Sequence, residues 1–429
     1  MAVDFSLLPQ EETMEVKAPS RLVWAIAFFF MVLVGVFTVL LLWPKDLPTQ
    51  TLKFWVTVTL FPVGIPGLIV LRRYSIYEGR KLDAELGNEA IRAFNTRVFR
   101  AASIPLAVLG TAHRISHDPQ ENLPQRIRDG AVILTAQESI ATQGDVVKAR
   151  WLDIPGTSQD AAKGKEADGR RRHDVTKWLF SQLIDDLLPV VEALPLQAPL
   201  SLCLSMANGM TPEENEALWS ACWEEKNLRP ISGTPIAREA ADLMMLDGWM
   251  DELIAGRSAH VTIVVAVQLS RLLAETPLPG TAEAGVAVML APDSLANQYS
   301  LTRQCNLHRP ERGMPDQLGE TLAHALQWGD DARADGIVTA WRTGLDAPQA
   351  AALRLSASTL ALNPRVTDLD QAVGHAGIAA PWLALVCAAS TLCGEFVEQM
   401  VFAGHEGKID CAVLKHTNAR KPLMPGVSD

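Results

Sequence analysis

Two long apolar stretches near the N-terminus dominate the hydrophobic pattern of the chain. Leu22–Trp43 and Phe54–Leu71 contain no charged residue. At about 1.5 Å per residue, the first stretch spans roughly 33 Å as a helix, which matches a hydrocarbon core of about 30 Å. Because only a helix satisfies its own backbone inside a bilayer, residues 22–71 are predicted to form a two-span membrane anchor.

Basic residues flank this hairpin on both outer sides and indicate its orientation. They are Lys17, Arg21, Arg72, Arg73, Arg80 and Lys81. The turn between the spans holds only Lys45 and Lys53. The positive-inside rule therefore predicts two transmembrane helices with both termini in the cytoplasm.

Two alternatives bear on this anchor. A cleaved signal peptide fits poorly, because the first apolar run is long, lacks a small-residue cleavage site and is followed by a second span. The second span contains Pro62, Gly64, Pro66 and Gly67, which predict a kink. A re-entrant segment in place of a full second span therefore stays open.

Beyond the anchor, apolar runs typical of strands alternate with amphipathic runs typical of helices, which predicts an α/β fold. The predicted segments are a cytoplasmic lead (1–21), the anchor (22–71), a connecting amphipathic helix (72–103), a first half (104–297), a second half (298–416) and a disordered tail (417–429). Gly156–His173 lacks apolar periodicity and is predicted to be a flexible excursion, with a helix starting at Asp174.

One succession of predicted elements occurs twice in the α/β part of the chain. A buried helix followed by an apolar β-hairpin is predicted over Ile236–Pro292, and again over Ala376–His416. No residue-level repeat accompanies it. The pattern therefore predicts a duplication of architecture rather than of sequence.

Composition excludes one class of partner. The chain has 38 Lys and Arg against 49 Asp and Glu, a formal net charge of −11. Nucleic-acid binding needs a basic footprint, so no nucleic-acid partner is expected. The basic residues beside the anchor are better explained by anionic membrane lipid.

Two short stretches resemble the thiolase fold of ketoacyl synthases and thiolases. GVAVMLAP resembles a late strand of the family's first half, and VGHAGIAAPWLALVCAA resembles its glycine–histidine segment followed by a helix rich in small residues. The resemblance implies a two-lobed, layered α/β/α domain after the transmembrane hairpin. It also implies that residues 104–297 and 298–416 are its two thiolase-like halves.

The resemblance implies a mechanism that the sequence does not support. A condensing enzyme needs a nucleophilic cysteine at the start of its first buried helix, where the helix N-terminus lowers the thiol pKa. Here that segment, Ser232–Leu243, has no cysteine. His375 occupies the position of one family histidine, but the partner asparagine or second histidine is not evident. We therefore expect a catalytically inactive scaffold, with no catalytic, cofactor-binding or metal-binding residues and no cofactor.

The other chemical candidates have simpler interpretations. His113 and His117, beside Asp118, form a possible metal pair, although surface histidines are the favoured interpretation. His405 is interpreted as an exposed turn residue. The paired acids Asp185–Asp186 and Glu224–Glu225 are interpreted as solvated helix faces. The six cysteines have no CxxC spacing and lie mostly in apolar surroundings, which indicates reduced core residues of a cytosolic domain.

The tryptophans leave two interpretations open. Seven lie in or beside predicted elements of the α/β part: Trp178, Trp219, Trp223, Trp249, Trp328, Trp341 and Trp382. They either pack in the core or include exposed anchors of a protein-binding surface, where tryptophan is favoured.

The whole arrangement is similar to the type VI secretion lipase-effector adaptor family of Gram-negative bacteria. The points of likeness are the apolar anchor, the segment from AVLGTAHRIS through PLSLCLSMANGMTPEENEALW, and the closing hairpin. The resemblance implies an inner-membrane adaptor that binds a phospholipase effector and hands it to the secretion-spike protein. The alternative is a membrane-bound acyltransferase or condensing enzyme, in which Cys305 or Cys387 would serve as nucleophile from an unexpected place.

Overall fold

Two long helices precede the α/β part of the chain. They are α1 (Arg21–Leu42) and α2 (Leu52–Ala102) in the computed structural model, which describes residues 8–12, 18–44, 47–154, 164–232, 236–238, 241–255, 260–329, 332, 334–392 and 397–416. The predicted tail, 417–429, and Cys393 lie outside the described residues. Both helices are long and apolar enough to cross a membrane, as the hydrophobic pattern predicts.

The second helix continues well beyond its apolar part. It runs for 51 residues without interruption, through Pro62 and Pro66, and includes most of the predicted connecting helix. A Cβ atom on Gly35 of α1 would lie 2.9 Å from Cβ of Pro62, so the two helices pack closely at this point. The glycine removes the side chain that would otherwise hold α1 away from the proline ring.

Residues 8–12 of the N-terminal lead lie along α2. The Glu12 backbone N–H donates to Asn88 Oδ1 at 2.8 Å, and Asn88 Nδ2 donates to the Glu12 carbonyl at 3.1 Å. Asn95 Nδ2 donates to the Pro9 carbonyl at 3.3 Å. The two asparagines therefore hold the backbone of residues 8–12, a contact that composition and periodicity do not reveal.

The described residues fall into two compact units, one within Asp4–Val98 and the other within Phe99–Asp429. The second unit carries the remaining elements. Its helices are α3 (Pro124–Arg128), α4 (Lys165–Ala193), α5 (Pro212–Glu225), α6 (Met244–Ile254), α7 (Asp293–Gln298), α8 (Leu318–Trp328), α9 (Ala347–Thr359), α10 (Leu369–Ala372) and α11 (Ala380–Thr391). Its strands are β1 (Leu106–Arg114), β2 (Ala136–Glu138), β3 (Val146–Lys148), β4 (Leu200–Ala207), β5 (Ile236–Arg238), β6 (Val261–Gln268), β7 (Ala284–Pro292), β8 (Cys305–Leu307), β9 (Glu311–Gly313), β10 (Ile337–Thr343), β11 (Arg365–Asp368), β12 (Glu398–His405) and β13 (Lys408–Lys415).

The large sheet is built from the same strand arrangement twice. The order along it is β11-β10-β12-β13-β8-β1-β7-β6-β4-β5. β9 belongs to the same sheet but pairs with β13 beside this path. If the five strands of each half on the path are numbered in chain order, both halves read 3-2-4-5-1. In each half the second strand is parallel to the third and fourth, and the fifth is antiparallel to the fourth and first. The duplicated architecture predicted from the sequence is therefore present in the sheet.

The helices pack against this sheet in layers. One apolar cluster joins α4 and α5 to the first-half strands, and another joins α8 and α9 to the second-half strands. A third cluster includes α6, α11 and strands of both halves. α11 is buried along nearly its whole length, because its sequence of small and apolar residues leaves no polar face. The layered α/β/α fold is therefore as predicted.

Two local predictions are wrong. Lys165–His173, predicted to be flexible, forms the first turns of α4. Arg171 of this segment pairs with the buried carboxylate of Glu283, a long-range contact that local periodicity does not show. Arg172 pairs with the buried Asp168 one turn earlier on the same helix. The helix predicted to begin at Ile236 is instead a strand, β5, followed by a helix, because Ile236–Arg238 pairs in parallel with β4.

Candidate functional site

His375 lies in the short loop between α10 and α11, and its backbone is fixed on both sides. Its N–H donates to the Gly280 carbonyl at 2.7 Å, and the Ala282 N–H donates to the His375 carbonyl at 2.9 Å. The preceding residue, Gly374, has φ +102°, and a Cβ atom there would lie 2.9 Å from the Thr281 carbonyl oxygen. Only glycine fits this close approach, so Gly374 helps to fix the backbone position from which the His375 side chain extends.

Asp370 orients the imidazole. Its Oδ1 lies 3.3 Å from His375 Nδ1 and accepts a hydrogen bond from Thr343 Oγ1 at 2.7 Å. Its Oδ2 accepts the Gly344 N–H at 2.6 Å. A proton on Nδ1 directed to Asp370 leaves Nε2 as the basic nitrogen of the neutral ring. The His375 side chain is 44% exposed, so this histidine–aspartate dyad is accessible.

Each member of the dyad favours the charged form of the other. Burial raises the pKa of Asp370, but hydrogen bonds from His375 and Thr343 outweigh it and bring the pKa below its ordinary value. The hydrogen bond to Asp370 raises the pKa of His375 above 6.5, against the opposing effect of partial burial. The dyad therefore exists as an ion pair in weakly acidic solution.

We expect the Asp370→Asn substitution to lower the pKa of His375, because it removes the charge that stabilises the imidazolium. In the unsubstituted protein, the stabilisation from His375 is fully present below about pH 6.5 and is lost as the pH rises through the folded-state pKa. The stabilisation from Asp370 is present above about pH 4 and is lost as the pH falls through its lowered pKa. The measurement is an NMR titration of the His375 ring, assigned with His375→Gln. A midpoint at or below 6.5, or one that Asp370→Asn leaves unchanged, would contradict the dyad.

A carboxylate, that of Asp242, lies at the start of α6. Between β5 and α6 the chain reads Glu239-Ala240-Ala241-Asp242-Leu243. Asp242 Oδ1 accepts the Met245 N–H at 3.2 Å, and Oδ2 accepts from Arg312 Nη2 at 2.6 Å. Asp242 therefore accepts a backbone N–H of the first turn of α6 and is held in an ion pair at the start of this helix.

Arg312 connects this helix start to the second half of the fold. Its Nε and Nη2 donate to the two carboxylate oxygens of Asp410 at 2.5 and 2.7 Å. The Asp410 side chain is almost completely buried. His405, interpreted from the sequence as an exposed turn residue, is one-third exposed and places Nε2 3.6 Å from Asp242 Oδ2. Sequence reasoning missed Asp242, Arg312 and Asp410, because the network joins three elements that are distant in the chain.

The described cysteines are poor nucleophiles. Cys203, Cys222, Cys305, Cys387 and Cys411 are all buried thiols. Burial raises the pKa of Cys305 to about 12 and also raises the pKa of Cys222, Cys387 and Cys411. Since the thiolate is the reactive form, these four thiols are unsuited to acyl transfer near neutral pH.

The histidine pair near the end of β1 is split between two environments. His113 is buried in the strand, and burial lowers its pKa to about 4, whereas His117 is exposed in the following turn. The favoured interpretation of both as surface histidines is therefore wrong for His113. Among the residues that the structure describes, no group of three or more His, Cys, Asp or Glu side chains is arranged to hold a metal ion.

The neighbouring acids on helices take part in ion pairs. Asp186 pairs with Arg114 at 2.5 Å, and Asp185 pairs with Lys226 at 2.5 Å. Their side chains diverge to different partners, so they form no paired-carboxylate site.

Most of the singled-out tryptophans belong to the core. Trp219, Trp223, Trp328, Trp341 and Trp382 are buried, whereas Trp178 and Trp249 are partly exposed. The indole N–H of Trp341 donates to Gln399, and that of Trp382 donates to the Ala241 carbonyl. Core packing therefore explains five of the seven residues.

Comparisons with known proteins support the fold alone. No protein-family model matches the chain, and no curated protein matches it. Among solved structures, the PfaC ketosynthase–chain length factor matches with a TM-score of 0.50 and 11% identity, over 73% of this chain and 43% of that one. The ishigamide ketosynthase/chain length factor has a TM-score of 0.49 and 15% identity, over 73% and 99% of the two chains. An oxazolomycin ketosynthase domain from Streptomyces albus matches with a TM-score of 0.48 and 14% identity, over 76% of this chain and 99% of that one.

The α/β part of this chain has a thiolase-like, ketosynthase-like fold. The strand order repeated in its two halves and the buried helices shared between them define that class. At 11% identity, the similarity to PfaC extends to the backbone arrangement and no further.

Proposed function

We propose that this protein is a membrane-anchored adaptor that is built on a thiolase-like scaffold and does not use thiol chemistry. The observation that carries the proposal is the start of α6, where Asp242 accepts a first-turn N–H and pairs with Arg312. The sequence contains no cysteine between Cys222 and Cys305, so the first half offers no thiol at this helix start.

The partner and the location follow from the resemblance to the type VI secretion lipase-effector adaptors. The protein binds a phospholipase effector and delivers it to the secretion-spike protein. Helices α1 and α2 anchor it in the bacterial inner membrane, with both termini in the cytoplasm. The two apolar helices and the basic residues outside them support this placement.

Co-purification tests the adaptor role. We expect crosslinking of the tagged full chain in its native membranes to enrich a lipase, identified by mass spectrometry. Residues 1–98 with the same tag are the matched control, because they retain both apolar helices and lack the thiolase-like unit. Lipase enrichment that is equal with this control, or absent with the full chain, would contradict the adaptor role.

The second candidate is a membrane-bound acyltransferase or condensing enzyme. The accessible His375–Asp370 dyad favours it, because an oriented imidazole serves as a general base in such reactions. The fold similarity to a ketosynthase–chain length factor also fits an enzyme better than an adaptor.

Acyl labelling separates the two candidates. We expect an acyl-CoA or a thiol-reactive acyl mimic to leave the folded protein unlabelled, because the described thiols are buried and the raised pKa values keep them protonated. Intact-protein mass spectrometry gives the stoichiometry, and unfolding in denaturant provides the positive control. Stoichiometric labelling that is lost in one of Cys305→Ser, Cys387→Ser or Cys393→Ser, and reduced by His375→Gln, would establish the enzyme instead.

A further inference from the structure

One face of α2, beyond its apolar part, holds a segment of the same chain. Asn88, Arg92 and Asn95 follow one another at helical spacing, so their side chains lie on the same face of the helix. Residues 8–12 of the lead contact all three side chains. The structure therefore already shows the kind of ligand that this Asn88–Arg92–Asn95 face accepts.

The two asparagines bind the backbone of that segment. The Asn88 side chain pairs with both the N–H and the carbonyl of Glu12, at 2.8 and 3.1 Å, and Asn95 Nδ2 donates to the Pro9 carbonyl at 3.3 Å. The step from Asn88 to Asn95 is two helical turns, about 10.5 Å along the axis. The step from Pro9 to Glu12 covers roughly 10 Å only when the chain is extended. The spacing of the asparagines therefore selects an extended backbone.

Arg92 adds a preference for negative charge. Its Nε lies 3.2 Å from Glu11 Oε1. Residues 72–102 of α2 carry seven basic and four acidic residues, whereas residues 1–20 carry one basic and four acidic residues. This part of α2 is therefore positively charged on a chain whose net charge is −11, and it attracts acidic segments.

The contacts that hold the lead are open to exchange. The side chains of Arg92 and Glu11 are 65% and 51% exposed, and exposed ion pairs contribute little net stability. The hydrogen bonds from Asn88 and Asn95 are also exposed, so water replaces them at small cost. The covalent linkage of the lead to α1 keeps its local concentration high. A partner segment that makes more contacts can therefore displace it.

Another protein fits this face better than a second copy of the chain does. The lead of a second copy would make the same contacts as the chain's own lead, but it would also lose the entropy of association. An acidic segment of another protein can place additional carboxylates near other basic residues of α2. Such a segment gains electrostatic attraction that the lead does not supply.

We propose that the Asn88–Arg92–Asn95 face docks an extended acidic segment of a partner protein, and that residues 8–12 cover this face as a displaceable strap. The asparagines bind the backbone of the incoming segment, and Arg92 pairs with one of its carboxylates. The strap and the partner occupy the same side chains, so their binding is mutually exclusive. This surface does not depend on the proposed adaptor function.

Binding of a free peptide to the full chain tests this surface. The probe is the acetylated peptide amide Leu-Pro-Gln-Glu-Glu, which has the sequence of residues 8–12. It is added to the chain in phosphatidylcholine nanodiscs, and binding is followed by saturation-transfer NMR against empty nanodiscs. Glu11→Arg repels the strap from Arg92 and leaves the face unchanged. We expect this variant to bind the peptide at least fivefold more tightly than the unsubstituted chain.

Two further substitutions in the Glu11→Arg chain locate the site. Arg92→Glu restores an ion pair with the strap and repels the carboxylates of the peptide, so the affinity should fall at least fivefold. Arg97→Glu is the matched control, because it makes the same change of charge at an exposed position on another face of α2. We expect this control to keep the affinity within twofold of that of the Glu11→Arg chain.

Four results would overturn the proposal. Absence of binding to the Glu11→Arg chain would show that the face does not dock this peptide. Equal binding by the unsubstituted chain would show that the strap does not cover the face. Equal weakening by Arg92→Glu and Arg97→Glu would show unspecific charge attraction. Native mass spectrometry of the detergent-solubilised chain gives the fourth: dimers that Glu11→Arg abolishes would identify a second copy as the occupant.

Discussion

Glu283→Ala should lower the free energy of unfolding by about 3–5 kcal/mol, because it leaves a largely buried arginine without its carboxylate partner. Glu283 is completely buried, and its two carboxylate oxygens accept from Arg171 at 3.0 and 2.7 Å. The same oxygens accept the N–H groups of Ser270 and Leu152 at 2.8 and 2.9 Å. The substitution therefore removes acceptors from a guanidinium and from two backbone donors at once.

Urea unfolding followed by tryptophan fluorescence measures this loss. Glu275→Ala is the matched control, because Glu275 faces Arg271 at 3.7 Å with both side chains more than 60% exposed. We expect that control to change stability by less than about 0.5 kcal/mol. The double substitution Arg171→Leu with Glu283→Leu should recover part of the loss, since paired apolar side chains leave no buried charge. A loss below about 1 kcal/mol for Glu283→Ala would show that the pair does not hold α4 to β7.

Gly404→Ala should destabilise the protein to a similar extent. We expect overpacking to lower the free energy of unfolding by about 3 kcal/mol or more. A Cβ atom on Gly404 would lie 1.9 Å from the Gly344 carbonyl oxygen and 2.6 Å from the carbonyl carbon. Both are backbone atoms at the ends of neighbouring parallel strands, so no side chain can rotate away. A shift of Gly344 also disturbs its N–H bond to Asp370 and therefore the orientation of His375.

Thermal unfolding and the His375 titration together test this prediction. Gly319→Ala is the matched control, because Gly319 lies in α8 with no atom within 4 Å of the added Cβ position. That substitution should raise the stability by up to about 1 kcal/mol through helix propensity. If Gly404→Ala melted like the unsubstituted protein and left the pKa of His375 unchanged, the close approach of the two strands would be wrong.

The elements predicted correctly from the sequence have local causes. The charge-free run of α1 is sufficient to predict a long apolar helix. The predicted closing hairpin is present, and it turns through Glu406 and Gly407 with φ of +46° and +78°. The small-residue sequence of α11 likewise predicts its burial.

The parts that sequence analysis missed depend on long-range contacts. Arg171 and Glu283 are 112 residues apart, so the charge of Arg171 suggested a solvated loop where the structure has a buried pair. The partner of His375 is only five residues away, but Asp370 reaches the ring because α10 and Gly374 bend the chain between them. The start of α6 shows its ion pair only when β9 and β13 are placed beside it.

The repeated strand order also bears on how the two halves cohere. Their shared seam is the antiparallel contact between β1 and β8, which pairs only three residues on each side, from Leu106↔Leu307 to Val108↔Cys305. So short a ladder contributes little by itself. Cohesion therefore also depends on the Arg312 network and on the apolar layer around α11, whose Trp382 and Leu383 are buried in the cluster that unites strands of both halves. Substitutions in α11 should therefore separate the two halves, whereas substitutions confined to the β1–β8 ladder should be tolerated.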